Sequence, residues 1–337
     1  MSITQNPPLK QGTDWQGALK NLITSPQDLL AKLDIPFDSL PWQVDLNFPL
    51  RVTPHFVSRM TPKDPNDPLL KQVLSTKEES LLTHGFNKDP LQESRFNPIP
   101  GVLHKFQNRI LITLTQSCAI HCRYCFRRHF PYDNNRIGKS HWPHIQQYLH
   151  QHPEVQEVIL SGGDPLMASD AVLSEFIKFL ESIPTLKTLR IHTRLPVVIP
   201  ERITTTWIEL CKQTRFQVVM VYHINHPQEI CEEIAFGVRQ LKVAGCLVFN
   251  QSVLLKDIND NLETLKILCE SLFNIGILPY YVHLLDTVQG SQPFNVTLEK
   301  AKSIEKALRQ TVSGYLMPKF VKEMPGALAK VPLEEIV

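Results

Sequence analysis

Cys118-Ala119-Ile120-His121-Cys122-Arg123-Tyr124-Cys125-Phe126-Arg127-Arg128-His129-Phe130 comes just after the apolar run Ile110–Leu114, and its reading decides how the rest of the chain is understood. Three thiols spaced C-x3-C-x2-C can turn inward from one tight loop, each meeting a different iron of a single cubane cluster. Three thiolates leave one of the four irons open, which marks a cluster that binds a small molecule rather than only passing electrons. Zinc competes for the same loop, because Cys118, Cys122 and Cys125 with His121 or His129 would supply four donors of the right kind. Structural zinc usually draws on two separated ligand pairs, whereas here every candidate crowds one loop. Disulfide use is not expected, since the seven cysteines are an odd number and nothing marks the chain for export.

Composition narrows the class. The 337 residues are 42% hydrophobic, enough for a sizeable core in one large α/β domain or in two. Met1–Thr13 is polar, with two prolines and no basic start ahead of an apolar stretch, and is not read as a signal peptide. No apolar run approaches the roughly 18 residues that a membrane helix needs. The expectation is a cytoplasmic protein with no membrane contact, where thiols stay reduced. A net charge of +2 gives no general argument for nucleic acid. Arg123, Arg127, Arg128 and His129 do form a local basic cluster, either a solvated face or, more sharply, an anion site.

Residues 14–85 alternate amphipathic stretches with proline breaks: Trp15–Ile23, Pro26–Leu33, Pro41–Asn47, Pro54–Arg59 and Asp67–Leu74. This reads as a mainly helical N-terminal region, followed over 86–108 by an extended, proline-bearing connector. From Arg109 short β-branched runs alternate with longer helical ones. Strands are expected at Ile110–Thr115, Glu157–Leu160, Thr188–His192, Gln217–His223, Leu247–Leu254 and Leu278–Leu284. Helical stretches lie at Ser140–His150, Ser169–Ser182, Glu201–Gln213, Pro227–Val243, Asn261–Asn274 and Thr297–Thr311. Nearly continuous apolar strands, each followed by a helix, imply a parallel sheet buried on both faces and curled into a partial (β/α)6-type barrel. Polar residues gather at the strand C-terminal ends, where barrel sites are built: the cysteine loop, Ser161-Gly162-Gly163-Asp164, His192-Thr193-Arg194, His223, Asn250-Gln251 and Asp286. Taken alone, a glycine pair after a strand is more often a plain turn, and His223 could be only a satisfied strand-end histidine.

The cysteine spacing, with an aromatic before the last cysteine, resembles the signature of the radical S-adenosylmethionine (SAM) enzymes. The wider pattern resembles the lysine 2,3-aminomutase family, most closely its short branch acting in elongation factor P modification. It runs from about Pro65 to Val331 and is carried by Asp67-Pro-Leu, Pro100-Gly-Val-Leu-His-Lys-Phe, the cysteine loop, Ser161-Gly-Gly-Asp-Pro-Leu, Arg194-Leu-Pro-Val-Val-Ile-Pro, His223-Ile-Asn-His-Pro, Asn250-Gln-Ser-Val-Leu-Leu, Pro279-Tyr-Tyr and Ser313-Gly-Tyr. The resemblance implies a [4Fe-4S] cluster on Cys118, Cys122 and Cys125, and SAM near Gly162, Gly163, Asp164, His223 and Gln251. It implies pyridoxal 5′-phosphate on Lys330, with Arg109 and Lys105 near its phosphate. Arg127 would take a substrate carboxylate, and Asp286 with Glu323 the distal ammonium of lysine. The chain departs from the family at Ala327-Leu328-Ala329, which replace much of a glycine run, and at Glu323, which replaces an aspartate.

On that resemblance residues 1–108 are an N-terminal region and connector, 109–315 the radical SAM barrel, and 316–337 the segment carrying the cofactor lysine. The implied activity is an isomerase converting L-α-lysine to (R)-β-lysine. An external electron donor such as flavodoxin would reduce the cluster, and the product would reach elongation factor P through a separate ligase, without direct nucleic-acid contact. Alternatives are an aminomutase acting on arginine or glutamate and a zinc-stabilised RNA-binding protein.

Overall fold

The computed structural model describes residues 14–43, 45 and 48–336. The reading of Met1–Thr13 and the end of the Pro41–Asn47 stretch lie outside these residues. Nine strands form one sheet in chain order: β1 (Val102–Phe106), β2 (Arg109–Thr115), β3 (Glu157–Gly162), β4 (Thr188–Thr193), β5 (Gln217–His223), β6 (Leu247–Val253), β7 (Leu278–His283), β8 (Lys319–Lys322) and β9 (Val331–Pro332). Strands β2 to β8 pair parallel, and β1 and β9 pair antiparallel at the two ends. The sheet curls without closing, the expected partial barrel, and its parallel run is one strand longer than the sequence pattern indicates.

The helices are α1 (Asp14–Lys20), α2 (Pro26–Lys32), α3 (Pro54–Val57), α4 (Trp142–Gln151), α5 (Asp170–Glu181), α6 (Leu195–Val198), α7 (Thr205–Gln213), α8 (Glu232–Val243), α9 (Leu262–Asn274) and α10 (Leu298–Arg309). Their starts are set locally. Side-chain oxygens of Ser169, Thr204, Asn261 and Thr297 accept from backbone N–H groups in the first turns of α5, α7, α9 and α10. Buried faces such as Leu173, Phe176, Ile177 and Leu180 of α5 then cover the outside of the sheet.

Before the barrel, helix is confined to α1–α3 and single 3-10 turns. At Asp67–Leu74, expected to be helical, the Asp67 carboxylate accepts from the N–H groups of Thr61, Leu69 and Leu70, leaving only a turn at Leu70–Gln72. Trp15, Leu29, Val52, Phe56 and Leu70 nonetheless belong to the same continuous core as Val158, Leu189 and Met220 of the barrel.

Candidate active site

The residues that the resemblance assigns to the cluster, SAM, pyridoxal phosphate and substrate all line one cavity of about 460 Å³, whereas His121, Arg123, Arg128 and His129 do not. Cys118, Cys122 and Cys125 enter it from the loop after β2, Gly162–Asp164 from β3, His223 from β5, Gln251 from β6, Asp286 from beyond β7 and Glu323 from beyond β8. Lys330 comes from the loop just before β9, Arg109 from the start of β2, and Lys105 from β1, which the sequence pattern left as connector.

The glycine pair is explained by crowding. Gly162 has φ +116°, and a Cβ there would meet the Thr115 carbonyl oxygen at 2.4 Å. A Cβ on Gly163 would come within 2.4 Å of the Ser117 carbonyl oxygen, because the Gly163 and Asp164 N–H groups donate to Thr115 and Ser117 and hold the start of the cysteine loop. Asp164, assigned to SAM by the resemblance, lines the cavity and is also held by the protein. Its buried carboxylate accepts from the Thr193 hydroxyl and from the N–H groups of Leu166, Arg194 and Leu195, so its bonds lie inside the protein and tie β3 to β4.

Around the thiols, burial raises the Cys118 pKa well above its usual value, with Asp164 and the neighbouring thiols adding to the rise. Burial and Cys122 push Cys125 up to about 11. Thiolates at Cys118 and Cys125 are therefore costly unless cations bind them, which suits an iron cluster. Of the two histidines beside the thiols, His121 Nδ1 is 2.7 Å from the Pro49 carbonyl with its ring stacked on Phe48, and His129 Nε2 is 3.1 Å from the Gln289 carbonyl.

The basic cluster is not a solvated face, because the side chains of its arginines are buried and paired. Arg123 pairs with Glu79 at 2.7 Å, Arg127 with Glu93 at 2.6 Å, and Arg128 with Asp45 at 2.5 Å and Glu79 at 3.3 Å. Burial favours such neutralisation over a free nucleic-acid patch.

Sequence reasoning missed two groups. Glu93 holds Arg127 from the connector, in a stretch with no periodic pattern. Arg194, quoted only as part of a motif, donates through Nη1 to Cys122 Sγ at 2.7 Å and to the Tyr124 hydroxyl at 2.6 Å. Its Nη2 donates to Gln72 at 2.7 Å and to the fully buried Glu229 at 2.9 Å. Tyr124 in turn contacts His223 Nε2 at 2.9 Å. Burial, aided by Arg194, lowers the His223 pKa to about 3, so this imidazole is neutral.

Lys330 Nζ lies 2.7 Å from Glu323, whose other oxygen is 2.9 Å from Lys105 Nζ. Burial raises the Glu323 pKa, but Lys330 and then Lys105 outweigh it and hold the carboxyl at about 2. Among the described residues Asp286 has no ion-pair partner, and burial followed by repulsion from Glu323 pushes it up to about 7.

A family model described as a 4Fe-4S single cluster domain matches residues 108–220. The chain is 46% identical over 326 residues to L-lysine 2,3-aminomutase of Haemophilus influenzae, covering 96% of each chain. It is 43% identical over 335 residues to L-lysine 2,3-aminomutase of Escherichia coli, covering 98% of this chain and 97% of the other. The Clostridium subterminale enzyme of the same name is 34% identical over 328 residues, 95% of this chain and 77% of that one. This chain belongs to the L-lysine 2,3-aminomutase family.

The matching family model is that of a 4Fe-4S cluster domain, and SAM and pyridoxal phosphate are the further cofactors that the sequence resemblance implies. The cavity fits the third of these as well as the first. Lys105, Arg109 and Lys330 bring cations to one side of it, and Lys330 Nζ is 5.8 Å from the Tyr281 ring centroid. The buried His192 Nε2 atom on the same wall has no protein partner, and a bound polar group would supply one. Among the described residues, no helix is long and apolar enough to cross a membrane.

Proposed function

We propose that the enzyme converts L-α-lysine to (R)-β-lysine, moving the amino group from C2 to C3. The observation that carries this reading is the polarity of the cavity, with buried Arg127 on one wall, Asp286 and Glu323 on others, and Lys330 and the cysteine loop opening into the same space. Such a wall matches a molecule with a carboxylate at one end and an ammonium at the other.

Cys118, Cys122 and Cys125 would hold the cluster, with SAM against it beside Gly162, Gly163, His223 and Gln251. Pyridoxal phosphate would sit on Lys330 with its phosphate toward Arg109 and Lys105. When bound, the cluster and SAM supply radical chemistry, and pyridoxal phosphate stabilises the unpaired electron while the nitrogen migrates. The chain's own residues bind and orient the substrate. Arg127 suits the α-carboxylate because a guanidinium fork matches two oxygens. Asp286 and Glu323 suit the distal ammonium, and they would repel the second carboxylate of glutamate. Leu103, Leu111, Ile159, Val253 and Leu285 line the cavity and exclude water. Residues 109–315 would act as the catalytic barrel, with β1 on one side and β8 and β9 on the other completing its sheet.

By family resemblance, a low-potential donor such as flavodoxin reduces the cluster. The product passes to elongation factor P through a separate ligase, which keeps the pathway in the cytoplasm. The test is product analysis after anaerobic incubation with labelled L-lysine, SAM, pyridoxal phosphate and reductant. β-Lysine is expected, and deoxyadenosine forming without β-lysine would assign the enzyme to another substrate.

A pH effect follows from Asp286, which faces Glu323, Glu93, Lys330 and Lys322. Binding an ammonium requires the ionised carboxylate. With a pKa of about 7 this form is present above neutrality and lost as pH falls. Lysine affinity should fall about tenfold from pH 8 to pH 6 in titration calorimetry, and Asp286→Asn should flatten that profile. An unchanged profile in the variant would remove Asp286 from the ammonium site.

A further inference from the structure

The Arg127 guanidinium carries five N–H donors. Nε and Nη2 donate to Glu93 at 2.9 and 2.6 Å, and Nη1 donates to Ser161 Oγ at 2.9 Å. Two N–H groups are left over, one on each terminal nitrogen, the number that a bidentate carboxylate accepts. A buried arginine with free rotamers would spread those donors over many directions. Held by Glu93 on one edge and Ser161 on another, it cannot.

Glu93 is itself placed by its neighbours. The Asp89 carboxylate accepts from Glu93 N–H at 2.9 Å and from the Ser94 hydroxyl at 3.0 Å, fixing the turn Glu93–Phe96. The same strap is pinned at its other end. Asn87 N–H donates to the Thr287 carbonyl at 3.0 Å, and Gln289 N–H donates to the Asn87 carbonyl at 2.8 Å, immediately beyond Asp286. One short segment thus touches both poles of the cavity.

We propose that Glu93 is a positioning residue for the substrate: it locks the Arg127 fork so that its two remaining donors receive the α-carboxylate, while the strap 87–93 sets the spacing from Arg127 to Asp286. This rests on the reading that Arg127 takes that carboxylate. Competition between Glu93 and the substrate for the same N–H groups is the opposite arrangement. The donor count disfavours it, because a carboxylate can be seated without displacing Glu93.

The test uses the reconstituted enzyme with cluster, SAM and pyridoxal phosphate but no reductant, so that nothing turns over. Titration calorimetry compares L-lysine with cadaverine, which has the two amino groups and lacks the carboxylate. Wild type should prefer lysine. Glu93→Gln, which faces the Nη2 donor with an amide NH2, should weaken lysine about tenfold and leave cadaverine within about twofold, whereas Glu93→Asp should recover most of the loss. A thermal melt matching wild type rules out general unfolding. Wild type binding both ligands equally would overturn the role of Arg127 itself. A lysine preference that survives in Glu93→Gln, or tighter lysine binding there, would overturn the proposal for Glu93 and leave Arg127 standing.

Discussion

Lys330→Ala should fold normally, lose covalently held pyridoxal phosphate and lower β-lysine formation by roughly a thousandfold or more. Folding should survive because Lys330 stands in a loop, and the pairing of Val331 with Lys322 that seats β9 does not use its side chain. Its one ion pair is with Glu323, and Lys105 still neutralises that carboxylate from 2.9 Å. Lys330→Arg separates the two duties of the side chain, since arginine keeps the pair with Glu323 but cannot carry the cofactor. Both variants should therefore be colourless after dialysis, apart from the cluster's own absorption, and equally inactive. A Lys330→Ala protein that keeps non-dialysable pyridoxal phosphate would place the cofactor on another amine.

Arg194→Met should cost about 3–5 kcal/mol of stability in urea unfolding, more than a typical core substitution. Burial alone would lower the Arg194 pKa, but Cys122, Tyr124 and Glu229 outweigh it and raise it well above the usual value, so the guanidinium is charged. Removing it leaves Glu229, with no exposed surface, facing Gln72 and two backbone N–H groups without a counter-charge. Adding Glu229→Gln should recover part of the loss, because the unpaired charge rather than the missing contacts dominates. A cost below about 1 kcal/mol would mean that Glu229 takes up a proton without penalty.

Much of the barrel is legible in the sequence because its strands are buried on both faces, so β-branched runs such as Gln217–His223 mark their own limits. Strands β1, β8 and β9 are not legible for the converse reason. They are short, lie at the ends of the sheet, and contain Lys, His or Pro among few apolar residues. Cys118, Cys122 and Cys125 announce themselves by spacing, and Lys330 only through family resemblance, since a lone lysine is otherwise surface charge. The hydrogen bonds that hold Asp164 are not legible in the sequence, where a carboxylate beside two glycines shows only its availability to a ligand. Its partners, Thr193 to Leu195, are 29 to 31 residues away and reach it only once β4 lies beside β3. Glu93 and the Gln72–Arg194–Glu229 network are invisible for the same reason, being made of single residues from separate segments.

Lys330 lies at the last turn of the sheet, whereas the three thiols follow its second strand. Because the ribosome makes a chain from its N-terminus, the proposed iron ligands would emerge before the amine proposed to hold the second prosthetic group.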